Sequence, residues 1–196
     1  YRPDLVYFDN TTNLPLGQAG LDIAAHYYNA NMRWNALRMA PLAGSRAVEL
    51  RQPSGRPGKL DAVINVKGLD AARRPGLVED YERGASDVIQ AAPWQTDTCL
   101  GEWHYNRRLF EQHRYKTVSR VVPMLINIVS KNGNLLLSVP LRGDGTIDSD
   151  ELAFLEGMGK WMDVNGEGIY ATRPWKIAGE GPSRSTSGMF NENRAT

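Results

Sequence analysis

The sequence is short of the features that mark several large classes of protein. It has one cysteine, Cys99, so no intrachain disulfide can form and redox chemistry does not fix a compartment. Its 23 basic side chains are balanced by 22 acidic ones, a formal net charge of +1, which leaves no surplus to neutralise phosphates. A nucleic-acid partner is disfavoured on that ground, and the local run Arg107, Arg108 and Arg114 is too small to change it. No apolar stretch approaches the roughly 18 residues that a membrane helix requires. No group of His, Cys, Asp and Glu has zinc spacing, and neither GxSxG nor a Walker pattern occurs, so no metal or cofactor is expected. There is no initiator methionine and no signal peptide, and a chain starting at Tyr1 reads as a processed product or a fragment.

What is present is alternation. Asp4 to Phe8 reads as a buried strand, and Gly20 to Met32 as a helix with Leu21, Ala24, Ala25 and Tyr28 on one face. Residues 41 to 59, rich in Pro and Gly, read as loop. Leu60 to Val66 is a second strand ending at the polar step Lys67-Gly68, and residues 68 to 92 read as irregular. Pro93 to Cys99 is a third strand. Val118, Val121, Val122, Leu125 and Val129 mark a helix, with Pro123 blurring its start and Gly133 expected to end it in the left-handed conformation. Asn134 to Pro140 is apolar enough for a strand buried on both faces. Asp148 to Val164 follows as a helix with a capping-box-like Asp148 and Glu151 and with Leu152, Leu155, Met158 and Met162 inward.

Four strands alternating with helices predict an α/β fold with a parallel sheet, about half of a (β/α)8 TIM-type barrel. The chain, at 196 residues, is short for a closed barrel, which takes about 250. The expected organisation is a half-barrel over 1–182 and a Ser-, Asn- and Gly-rich tail over 183–196.

Two patterns imitate other functions. Arg142 to Glu151 resembles a calcium loop, but its first and third ligand positions fall on Pro140 and Arg142, which offer no carboxylate. Asn10-Thr11-Thr12 is a formal glycosylation sequon that reads better as a turn. His26 reads as an ordinary helix residue.

Asp9 ends the first strand, which in a (β/α) barrel is the end that carries chemistry, although alone it could simply begin an Asx turn. The rest of the chain decides between these. Pro3-Asp4-Leu5-Val6-Tyr7-Phe8-Asp9, Pro93-Trp94-Gln95-Thr96 with Gly101-Glu102-Trp103-His104-Tyr105-Asn106, Val129-Ser130-Lys131-Asn132-Gly133-Asn134-Leu135-Leu136-Leu137, and Asn165-Gly166-Glu167-Gly168-Ile169-Tyr170 occur in order. Together they resemble the α-L-fucosidases of glycoside hydrolase family 29, from residue 3 to about 182, as the second half of that family's catalytic barrel.

The resemblance implies a retaining mechanism that removes terminal α-L-fucose from glycans, with two carboxyl groups about 5 to 5.5 Å apart. Asp9 matches the nucleophile. Arg83 matches an arginine that reaches the sugar, the alternative being an ion pair with Glu79 or Glu82. Many members have Trp-Glu-Thr where this chain has Trp94-Gln95-Thr96, and glutamine cannot exchange a proton. The acid/base role then falls to Asp97, two residues along the strand, or to Glu102 beside Trp103. Trp94, Gln95, Trp103, His104 and Tyr105 would line the sugar site. The family's first half-barrel and β-sandwich have no counterpart here, so a homo-oligomer or a complementary N-terminal half is the expected partner. The competing reading is a non-catalytic half-barrel that binds carbohydrate. Relatives that often work outside the cytoplasm imply a periplasmic or secreted setting.

Overall fold

The computed structural model of the chain describes residues 2–9, 17–37 and 59–180. The sequon at Asn10, the loop from 41 to 58 and the tail from 183 lie outside the described residues. The chain divides into two compact units, Tyr1–Glu79 and Asp80–Thr196.

The elements run β1 (Leu5–Phe8), α1 (Gln18–Leu37), β2 (Val63–Lys67), β3 (Val78–Glu82), β4 (Trp94–Cys99), α2 (Arg107–Glu111), α3 (Val118–Val129), β5 (Gly133–Ser138) and α4 (Ser149–Asn165). The strands follow chain order in one sheet, β1-β2-β3-β4-β5, with β1 parallel to β2 and β4 parallel to β5. This is the expected α/β class, a partial (β/α)8 arrangement. The fifth strand, β3, falls inside the stretch that the sequence reads as irregular. Its residues, Val-Glu-Asp-Tyr-Glu, carry too much charge to look like a strand, and only pairing with neighbours makes one.

In the first unit α1 buries Ala24 and Tyr27 against Ile64, Val66, Leu69 and Leu77, with Val6, Phe8, Leu21 and Tyr28 around them. The expected inward face is therefore turned slightly, since Ala25 is exposed and Tyr27 is not. Complete burial of Ile64 and Val66 is worth about 1.5–3 kcal/mol each. Asn31 and Asn35 tie the helix to the approach of β2. Asp61 N donates to Asn31 Oδ1 at 2.8 Å, and Asn35 Nδ2 donates to Lys59 O at 2.9 Å.

In the second unit Trp94 packs on Met124 and Ile128, while Leu100, Val121 and Phe154 form a second cluster with Leu135, Leu137 and Val139. Pro123 sits inside α3, which continues through it. The left-handed position after α3 is taken by Asn132, with φ of 71°, rather than by Gly133. Gly133 opens β5, and glycine is needed there for closeness: a Cβ would stand 2.5 Å from Trp94 Cζ2. β5 is covered on one face only, with Leu135 and Leu137 partly buried and Leu136 46% exposed. In α4 the buried stripe is Glu151, Phe154 and Met158, at i, i+3 and i+7, whereas Leu152 and Leu155 are exposed. The cap sets this rotation, because Asp148, itself buried, accepts at Oδ1 from Asp150 N and Glu151 N and draws Glu151 inward.

Candidate active site

Strand alternation assigns the functional face. In the first unit Val6, Phe8, Ile64 and Val66 face α1, so Tyr7, Asp9, Asn65 and Lys67 project the other way. Asp9 lies just past the C-terminal end of β1 with its side chain 73% exposed. Lys67, the last residue of β2 and nearly buried, places Nζ 2.7 Å from Asp9 Oδ1 and 5.8 Å from the centre of the Tyr7 ring. The carboxylate is thus oriented by a fixed cation and open to solvent on its other side.

In the second unit Trp94 and Thr96 turn from the face that carries Gln95, Asp97 and Cys99. Trp94 is 2% exposed, meets the Tyr81 ring edge-on at 5.4 Å, and donates from Nε1 to Lys131 O at 2.8 Å. Its environment is core rather than sugar wall. Thr96 Oγ1 lies 2.6 Å from Tyr81 O and 2.7 Å from Gly84 O, tying β4 to the turn after β3. On the opposite face Gln95 is buried and donates from Nε2 to Asp80 Oδ2 at 2.7 Å, while Asn134 Nδ2 donates to Gln95 Oε1 at 3.4 Å. Asp97, two residues on, is also buried, and its carbonyl accepts from Arg83 N at 2.8 Å.

Arg83 follows β3 in the left-handed region, with φ of 50°. Its guanidinium carbon lies 4.8 Å from the centre of the Trp103 ring, and Nη2 donates to Cys99 Sγ at 3.2 Å. Of the two acids that could pair with it, Glu79 takes Arg74 Nη2 at 2.7 Å. Glu102 is exposed and accepts from Asn106 Nδ2 at 2.8 Å, and Asn106 in turn caps α2. His104 is exposed. Tyr105 accepts from Arg142 Nε at 3.4 Å, and Arg142 also faces its ring at 5.9 Å. Lys116 Nζ donates to Cys99 O at 2.7 Å, and burial, ahead of the nearby Arg83 and Arg120 charges, pulls its pKa below the usual lysine value.

The calcium-like loop is instead a closed turn. Thr146 donates to Asp144 Oδ1 from N at 2.9 Å and from Oγ1 at 2.7 Å, which lowers the Asp144 pKa. No group of three or more metal-ligand side chains forms among the described residues.

The place of three polar residues on these faces is not legible in the sequence: Lys67, Asp80 and Glu82. Lys67 was visible only as the polar step closing a strand. Asp80 and Glu82 belong to the strand that its own charge concealed, and Glu82 stands exposed at that strand's C-terminal end.

Parallel strands packed on helices by one face, with acids at or just past their C-terminal ends on the other, define the (β/α)-barrel class of enzyme scaffold. The chain belongs to the α-L-fucosidase family, whose sequence model matches residues 1–167. It is 32% identical over 186 residues to the tissue α-L-fucosidase of Rattus norvegicus, covering 92% of this chain and 34% of that protein. The corresponding protein of Bos taurus is 36% identical over 128 residues, 63% of this chain and 27% of that one. Among solved structures, the α-fucosidase of Thermotoga maritima superposes with a TM-score of 0.60 at 27% identity, covering 89% of this chain and 33% of that one. The chain therefore spans about a third of the length of these relatives.

Proposed function

We propose that this chain carries the nucleophile of a retaining exo-glycosidase that releases terminal α-L-fucose from glycans. The observation that carries the reading is the exposed Asp9 carboxylate, beyond the end of β1 and held at one oxygen by Lys67. In the reaction the free Asp9 oxygen attacks the anomeric carbon as the bond to the aglycone oxygen breaks, forming a glycosyl ester. A carboxylic acid gives its proton to the departing oxygen. The same group, now a carboxylate, takes a proton from water, which attacks the anomeric carbon, frees fucose and restores both acids.

Asp97 is the preferred proton donor. It shares the polar face of β4 with Gln95, whereas Glu102 lies in an exposed turn already engaged by Asn106. Glu82 is the remaining acid at a strand end. Arg83 and Trp103 form the polar and aromatic parts of the sugar-binding surface.

The test is hydrolysis of 4-nitrophenyl α-L-fucoside by the wild type and by Asp9→Asn, Asp97→Asn, Glu102→Gln and Glu82→Gln. Asp9→Asn should abolish release. Loss of the acid/base should spare that activated substrate more than a fucosyl-galactose disaccharide, whose leaving group needs a proton, and azide should restore turnover. Full activity of Asp9→Asn would end the assignment.

A non-catalytic reading is favoured by Gln95 and by one feature of the second unit. An open groove of about 1040 Å³ runs between α3, β5, α4 and the segment around Trp175, with Leu125, Val129, Leu155 and Met162 in its walls. Such a surface accepts a complementary chain, a second copy or an N-terminal half-barrel. Light scattering decides this: a 22 kDa monomer melting cooperatively removes the need for a partner.

A further inference from the structure

Cys99 is fully buried at the end of β4, and its placement ties three groups together. Its sulfur accepts from Arg83 Nη2 at 3.2 Å and donates to Gly101 O at 3.1 Å, and its carbonyl accepts from Lys116 Nζ at 2.7 Å. Arg83 has few other restraints. Its Nε is buried without a hydrogen-bond partner, and Cys99 Sγ is the acceptor that holds its guanidinium among the described residues. The rest of its fixing comes from the backbone, held left-handed at φ of 50° by the bond from Arg83 N to Asp97 O, and from the face of Trp103.

A sulfur acceptor suits this geometry. It is large and polarisable, so it reaches a guanidinium over a longer contact than an oxygen does, while its own proton stays committed to Gly101. Gly101 cannot shift to compensate: a Cβ there would lie 2.7 Å from Leu109 Cδ1, which shows how closely the turn is packed.

We propose that Cys99 is a positioning residue, whose sulfur holds the Arg83 guanidinium over the Trp103 ring and so presets it for the sugar. This rests on the reading of Arg83 as a sugar-contacting group. The thiol undergoes no chemistry in this role and touches no substrate.

The experiment compares wild type, Cys99→Ala, Cys99→Ser and Arg83→Ala in two readouts. The first is the Nε–H resonance of Arg83 by nitrogen NMR, which needs no activity. Its exchange with water should speed up about tenfold in Cys99→Ala and lie between the two in Cys99→Ser, whose shorter side chain keeps an oxygen acceptor. The second is binding of L-fucose, with KM and kcat for the aryl fucoside. Cys99→Ala should raise KM about three- to tenfold with kcat little changed. An unchanged Arg83 resonance in both cysteine variants overturns the proposal. So does an unchanged KM in Cys99→Ala where Arg83→Ala raises it. If Arg83→Ala leaves fucose binding untouched, the sugar-contact reading of Arg83 fails, and the resonance alone decides whether the clamp exists. Should Cys99→Ala fail to fold, Cys99→Ser carries both readouts.

Discussion

Lys67 Nζ stands 2.7 Å from Asp9 Oδ1, joining the last residue of β2 to the first residue beyond β1. The β1–β2 register, with Phe8 beside Val66, brings the next residue of each strand to the same edge on the same side. Parallel pairing therefore creates a contact between residues 58 positions apart that neither local sequence contains.

That contact gives the first prediction. Lys67→Met keeps the buried stem but removes the charge that orients Asp9. We expect kcat/KM for the aryl fucoside to fall about 10- to 100-fold, with the melting temperature changed by only a few degrees. Wild-type kinetics in a folded Lys67→Met protein would separate the pair from the chemistry.

Gln95→Glu restores the residue that many family members have, but sets it against Asp80 Oδ2, which now lies 2.7 Å from an amide donor. Two buried carboxyls at that distance share a proton instead of both ionising. We expect a loss of about 2–4 kcal/mol at pH 7 that shrinks towards pH 4, and no gain in activity. Urea titrations of both proteins across this range test it, and equal stability at pH 7 is the contrary result.

Glu151 is fully buried with both carboxylate oxygens lacking a side-chain hydrogen-bond donor, and burial, with Asp148 adding to it, raises its pKa. For an acid whose folded pKa is raised, the native state holds the extra proton. The stabilisation is complete below the unfolded value near 4.5 and is lost as pH climbs through the folded value. Glu151→Gln removes that loss. Its melting temperature should thus improve relative to wild type between pH 5 and 8 and converge with it below pH 4. A constant offset across that window contradicts the assignment.

Gly133→Ala puts a methyl group 2.5 Å from Trp94 Cζ2 and 2.7 Å from Ile128 Cγ2. Neither neighbour is free to move, because Trp94 is pinned through Nε1 to Lys131 O and Ile128 is completely buried. We expect a cost of about 1–3 kcal/mol from overpacking, read as a shift of the denaturant midpoint at constant slope. A neutral result means that β5 can slide from β4.

Much of this arrangement is legible in the residues. The apolar runs at Leu5–Phe8 and in β2, the 3.6-residue spacing of α3 and the Asp148 cap announce themselves because each depends on neighbours in sequence. Asp9 is placed by the same logic, as an acid where an apolar strand stops. β3 is invisible because Val78–Glu82 has the composition of a surface segment and becomes a strand only through partners far away in the chain. The side of β4 that Trp94 faces is hidden for a related reason: an aromatic residue in a strand can point to helices or to a polar face, and only the packing of Met124 and Ile128 decides.

The sequence by itself determined the α/β alternation, the family and the position of Asp9, because periodicity, caps and strand ends are local matters of backbone geometry and side-chain polarity. Tertiary structure alone decided that Lys67 holds Asp9, that Gln95 meets Asp80, and that the Cys99 sulfur accepts from Arg83. Those are contacts across strands and turns, fixed by register and pleat, and a shift of one residue would turn each of these side chains to the opposite face.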